Sequence, residues 1–383
     1  MEQQVCHLKA LNRDILADII VRTDGSTLAA VACVSSDLHD VARDQSLWRQ
    51  LCHSTWPSTA LEEAQHVLSS SPIGGFDNFY ANSYPLLLHG KHVKGTKLKP
   101  FKCPEPKTHV PPSEFASLVD LYYRKECVLS EVLDGIHEAV DVSYHKESEY
   151  NWNVNSYDCW RWYSNCPFKL ELLSFDSEEF TGFGDELGHG HDAKNEETRG
   201  FSSISVAEDG KLRHDHCKEL VENLRLSWVL LDKTNGKSVN LSSWKPLLVQ
   251  RTWPFHGDYL IHFGSIVPVE ESLLPHKLSK CIIVVRCKMT ESEGCPKWME
   301  ISLKIEDFTG ASVSGSKGLM VLNHALNCLQ STNHLEVEQC FRQYEKQKRE
   351  VMRKKQFSDT LIDSFYVTIE VAVFVAFCYF IIL

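Results

Sequence analysis

The sequence predicts an α+β protein: a small helical N-terminal unit, a mostly antiparallel, sandwich-like β region, and a hydrophobic C-terminal helix. Three observations lead there. Apolar residues recur at helical spacing over residues 11–56. Strand-like alternating runs follow one another between residues 113 and 330. Residues 365–383 are apolar except for Thr368 and Glu370.

In the first unit, "LNRDILADIIVR" sets Leu11, Ile15, Leu16, Ile19 and Ile20 along one broad stripe, with Asn12 as a capping residue. Asp24-Gly25 marks a turn, and Ser26 is suited to cap a second helix in "TLAAVACV". "SDLHDVAR" reads as a third helix with Leu38, Val41 and Ala42 on its inner side. A fourth, "SLWRQLCHSTWP", carries Trp48, Leu51, Cys52 and Thr55 on one face with Trp56 at its edge, and Pro57 ends it. A unit of this size buries its apolar residues poorly alone, so some must meet a partner or the downstream region.

The helical N-terminal domain spans residues 1–60, and residues 61–112 form a connecting region. A short helix over 61–70 precedes "HGKHVKGTKLKPFKCPEPKTHVPP", which has six lysines and five prolines and reads as a solvated linker or arm. Residues 113–330 form the β-rich domain. Its runs include "FKLELLSF", "LRLSWVLLD", "SVNLSSW", "LLVQRTW", "YLIHFGSIV", "CIIVVRCKM" and "WMEISLKIEDF", with Thr234-Asn235-Gly236 as one turn. Residues 171–197, acidic and rich in glycine, suggest an exposed loop. Residues 331–357 carry Val337, Phe341, Tyr344 and Val351 amid charges, as in a solvated helix next to a membrane.

The run 365–383 is about 28 Å long as a helix, near the ~30 Å of a hydrocarbon core. "KQKREVMRKK" at residues 346–355 supplies the positive flank expected on the cytoplasmic side. The expectation is a single-pass C-terminal anchor within 358–383, with the N-terminus in the cytosol. The competing readings are a helix packed on the sandwich or lying on a surface, with the protein in the cytoplasm or nucleus. Glu370 favours those, because a carboxylate deep in lipid is costly.

Composition narrows the function. A net charge of −11 argues against nucleic-acid binding by the whole protein. The fourteen cysteines include no C-x-x-C pair, which speaks for reduced, mostly buried thiols over a zinc ribbon. The triplet Asn240-Leu241-Ser242 is a sequon that the cytosol would leave unused. His189-Gly190-His191-Asp192 and His214-Asp215-His216-Cys217 could offer two metal ligands each, if on strands, but nothing supplies the rest of a coordination shell, and no metal or cofactor is expected. "GASVSGSKG" at 310–318 departs from a phosphate-binding loop because Lys317 is misplaced, and reads as a hairpin or loop. No catalytic motif is present, so no enzymatic activity is expected. Trp152, Trp160, Trp162 and Tyr163 fit a sandwich core better than a recognition surface.

"LNRDILADIIVRTDGSTLAAVACVSSDLHDVARDQSLWRQL" resembles an F-box. The positions that carry the likeness are Leu11, Asp14-Ile15-Leu16, Ile19, Leu28, Cys33-Val34, Leu38 and Leu47-Trp48. Asn12 stands where proline is usual, and Ser36-Asp37 replaces a common basic pair. Residues 224–253 are similar to a segment of a group of plant F-box proteins. The resemblance implies a non-catalytic substrate receptor of a cullin-RING ubiquitin ligase. Leu11, Ile15, Leu16, Ile19, Leu28, Val34 and Leu38 would meet a Skp-family adaptor and, through it, the cullin scaffold, while the β-rich region would hold an unidentified protein target. The alternative is a membrane-anchored, lectin-like binding module without ligase function.

Overall fold

The structure is a computed structural model that describes residues 13–70, 72–88, 111–136, 167–174, 211–252, 258–289 and 296–382. Four helices open the chain: α1 (Arg13–Val21), α2 (Gly25–Val31), α3 (Ser36–Ala42) and α4 (Gln45–Thr55). Each of the last three starts on a side-chain cap. Asp24 accepts from the Thr27 N–H at 2.7 Å, Ser35 from Leu38 at 3.3 Å, and Asp44 from Ser46 at 2.9 Å. Asp24, not Ser26, therefore caps α2; Ser26 falls within the helix's first turn, and its exposed hydroxyl donates to the same carboxylate at 2.7 Å. These hydrogen bonds hold the Asp24 carboxyl below the usual carboxylate range. Trp56 closes α4, and Pro57 begins a short 3-10 turn, Pro57–Ala60. Helices α5 (Glu62–Ser70) and α6 (Phe76–Ser83) complete the unit.

The strands form two sheets. One has six strands in the order β11-β1-β6-β5-β2-β3: β1 (Leu86–Leu87), β2 (Phe115–Tyr123), β3 (Glu126–Asp134), β5 (Leu224–Asp232), β6 (Lys237–Asn240) and β11 (Gln330–Ser331). The other has five in the order β4-β10-β9-β8-β7: β4 (Lys169–Ser174), β7 (Leu248–Arg251), β8 (Tyr259–Pro268), β9 (Leu278–Met289) and β10 (Pro296–Asp307). All described pairings are antiparallel except β1 with β6.

Period-two alternation gives β2 and β5 two buried faces. Val119 and Leu121 of β2, with Leu226, Trp228 and Leu230 of β5, join Phe263, Ile283, Val285 and Leu303 of the second sheet in one core. Ala116, Leu118, Val229 and Leu231 point the other way and share a second core with Ile20, Leu28, Trp48, Trp56, Phe79 and Tyr80. The N-terminal helices therefore roof one face of the sandwich.

Helix α7 (Lys211–Asn223) and helix α8 (Gly315–Ala325) add Leu220, Leu319 and Leu322 to the sandwich core. Two sequence expectations change here. Positions 214 and 216 fall on α7, a helix and not the strand on which residues two apart share a face. "SGSKG" is no loop but the start of α8: Ser314 precedes it, and Gly318 packs so close that a Cβ there would lie 2.7 Å from the Phe168 ring. Asn240 is buried and accepts from the Ser242 N–H at 3.0 Å, so the sequon is a core turn. Among the described cysteines, most are buried, Cys33 and Cys127 being exposed. Trp152, Trp160, Trp162, Tyr163, His189 and His191 lie outside the described residues, as do 89–110 and 175–197; residues 171–174 belong to β4 instead of a loop.

The last helix, α9 (His334–Ile382), is continuous. Its first turns are not solvated as the charge pattern suggests. Phe341 and Tyr344 are buried with Ile266 and Phe308, and Glu345 pairs with Lys280 at 2.9 Å. Beyond residue 349 the described side chains are exposed, including Phe365, Val373 and Phe377.

Candidate functional site

The docking candidates lie on α1 to α3. On α1, residues four apart stand above one another, and the stripe splits into two lines. Ile20 is buried in the roof core and Leu16 is half-buried. Ile15 and Ile19 point away, 49% and 51% exposed. Val34, just past the end of α2, is 71% exposed, the most open of the three. Large aliphatic side chains that exposed on adjoining elements are the feature expected of a surface awaiting a partner.

The other assigned residues divide differently. Leu38 is half-buried against the roof core. Leu28 is 2% exposed, so it shapes the surface from beneath and offers no contact atom in this structure. Its position follows from the cap at Asp24, which sets the phase of α2 and turns Leu28 inward. Leu11 lies outside the described residues.

The support under this surface is stiff. Trp48 is buried, and its indole N–H donates to the Ala42 carbonyl at 2.7 Å, joining α4 to the end of α3. Tyr80 lies 5.6 Å from the Trp48 ring and 5.4 Å from the Trp56 ring, and Phe79 meets Trp56 edge-on at 5.6 Å. Gly25 packs so closely on Tyr80 that a Cβ would fall 2.2 Å from its ring, which fixes α2 on α6.

Polar contacts clamp the roof to the sheet. Asp120 of β2 is fully buried and accepts from the Ser58 N–H at 2.8 Å and the Ser58 hydroxyl at 2.6 Å, and also from the Ser130 hydroxyl. Burial pushes its carboxyl up, while these three donors act in the opposite sense. Tyr122 donates to the Thr55 carbonyl at 2.5 Å, and the Ser83 and Ser238 hydroxyls pair at 2.8 Å. The β5–β6 turn abuts the α5–α6 connection: Gly236 has φ of 65°, and a Cβ on it would sit 2.3 Å from the Pro72 carbonyl oxygen.

Sequence reasoning missed the clamp and α6. The signals were present: one carboxylate in the apolar run "FASLVDLYY", and Phe76, Phe79, Tyr80 and Tyr84 at helical spacing. Among the described residues no cluster of three or more His, Cys, Asp or Glu side chains could hold a metal ion. One described helix, spanning His334–Ile381, is long and apolar enough to cross a membrane by length and composition, with none of its apolar stretch buried.

The model of the F-box-like family matches residues 13–54, which are α1 to α4 almost end to end. F-box protein At3g44326 of Arabidopsis thaliana is 28% identical over 324 residues, 83% of this chain and 74% of that protein. Probable F-box protein At2g36090 of the same plant is 26% identical over 364 residues, 93% of this chain and 87% of the relative. F-box protein GID2 of Oryza sativa subsp. japonica is 32% identical over 71 residues, 18% of this chain and 34% of its own length. No solved structure matches the chain. The chain carries an F-box-like domain at its N-terminus and is related, over most of its length, to plant proteins named as F-box proteins.

Proposed function

We propose that this protein is the substrate-receptor subunit of a Skp–cullin–F-box ubiquitin ligase. The observation that carries the reading is the match of residues 13–54 to an F-box-like domain in which Ile15, Ile19 and Val34 stay exposed. In this reading Leu11, Ile15, Leu16, Ile19, Val34 and Leu38 meet a Skp-family adaptor, which links the chain to a cullin scaffold. Leu28 holds the surface in shape from below. The sandwich takes the target protein. The chain performs no chemistry of its own; it raises the target's effective concentration at a ubiquitin-loaded enzyme. The stiff roof suits that task, because the adaptor side and the target side then keep one fixed geometry.

The apolar end of α9 extends the reading: residues 365–382 cross a bilayer. Support comes from apolar side chains exposed all round the helix, a length near the hydrocarbon thickness, and the cationic stretch 346–355 on one side.

Two experiments test these assignments. The double variant Ile15→Asp/Ile19→Asp should lose adaptor co-purification while its unfolding stays close to that of the parent, since both side chains are about half exposed. Adaptor capture that survives the double change would overturn the docking assignment. Deleting 365–382 should move the protein from a carbonate-resistant membrane pellet to the soluble fraction; an unchanged distribution would overturn the span.

A further inference from the structure

The apolar run is not an appendage on a loose tether. Residues 334–382 contain no glycine or proline, so no such residue interrupts the hydrogen-bond ladder of α9. Its N-terminal turns are fixed to the second sheet. Tyr344 meets Phe308 edge-on at 5.4 Å, Lys280 lies 5.1 Å over the Phe341 ring, and the Lys280–Glu345 pair is largely shielded, each side chain 19% exposed. Lys348 still lies against Gly310 at the sandwich surface. From residue 350 onward the helix has left the sandwich.

We infer that α9 is one rigid post that holds the sandwich at a set height above a bilayer; this rests on the reading that 365–382 cross that bilayer. From Lys348 to Phe365 the helix rises about 25 Å at 1.5 Å per residue. Headgroups fill roughly 5–7 Å of that, leaving a water-filled interval of about 20 Å.

The exposed stretch alone would be a marginal helix in water, because short helices carry an unfavourable nucleation step. Here the docked turns nucleate one end, and the span, where backbone groups must be paired internally, secures the other. The charges along the post suit a solvated interval. Glu350, Asp359 and Asp363 partly offset the five cations Lys348, Arg349, Arg353, Lys354 and Lys355, and Glu350–Lys354 has the favourable acid-before-base spacing of four. The target the sandwich can reach is therefore a portion of a protein standing off the same membrane by a few nanometres, and not a lipid headgroup.

Neutron reflectometry of the full chain inserted in a supported bilayer of phosphatidylcholine and phosphatidylserine tests this. The expected profile is a dense protein layer separated from the headgroups by about 20 Å of mostly solvent. Inserting seven helix-forming residues after Lys355 should move that layer outward by about 10 Å. Protein that inserts but lies against the headgroups, or whose height ignores the insertion, would overturn the post and leave the span intact. Protein that forms no layer on the bilayer, or associates only with further copies of itself in solution, would overturn both.

Discussion

Replacing Trp56 by alanine tests whether the N-terminal helices and the sandwich fold as one unit. Trp56 is among the largest fully buried side chains, flanked by Phe79 edge-on and by a tilted Tyr80 ring in the core that also holds Leu118, Val229 and Leu231. Truncating a buried aromatic to alanine costs about 3–5 kcal/mol, from lost burial and from the cavity left behind. The surrounding rings are held by Trp48 and by the Gly25 contact, so collapse into the cavity is limited and the upper part of that range is expected. With a urea slope of about 2–3 kcal/mol per molar, the midpoint should fall by roughly 1.5–2 M. The assay is equilibrium urea unfolding of the full chain in mild detergent, followed by tryptophan fluorescence and far-UV circular dichroism. Both probes should report one transition shifted by the same amount. Two separate transitions, with only the smaller one moved, would refute the shared core.

Other consequences concern single groups. Leu28→Asp should unfold the roof, unlike the exposed Ile15→Asp/Ile19→Asp pair, because it places a carboxylate in the shared core; thermal melting separates the two classes. Burial, reinforced by Lys280 and Lys304, holds His262 down at about 4 against an ordinary 6.5. A depressed folded-state value means full stability above pH 6.5 and loss as pH falls from there through about 4, worth up to about 3 kcal/mol. His262→Phe should flatten that part of the stability–pH curve, and an unchanged slope would exclude His262 as its source. Tyr344→Ala should free the first turns of α9 and open residues 334–349 to limited proteolysis while leaving β8–β10 protected; unaltered cleavage would contradict the docking described for Tyr344.

The strands were largely legible because the sandwich is built from local alternation. "LRLSWVLLD" is β5 residue for residue, and the turn after it at Thr234-Asn235-Gly236 falls where the sequence puts it. Helix phases were less legible. Ser26 and Asp24 both qualify as caps on residue type, and only the fold decides that Asp24 faces the free N–H groups. The division of apolar residues between roof core and outer surface was not legible at all. Leu28 and Val34 carry the same hydrophobic signal, yet one is buried in the core that also holds Tyr80 and the other lies beyond the end of α2, a difference set by contacts with residues far along the chain. Long-range pairing also hid the role of Phe341 and Tyr344, whose partners are Ile266 of β8 and Phe308 just past β10. The hairpin reading of "GASVSGSKG" holds only up to Val313; its second half has the same origin of error, since glycine suggested freedom, whereas Gly318 is there to admit Phe168.

Hydrogen–deuterium exchange of the full chain with and without a Skp-family adaptor bears most directly on the proposed role. Protection should appear over residues 13–21 and around Val34, with the amides of β8–β10 unchanged. An adaptor footprint on the sandwich in place of α1 and the α2–α3 turn, or no footprint at all, would contradict the account.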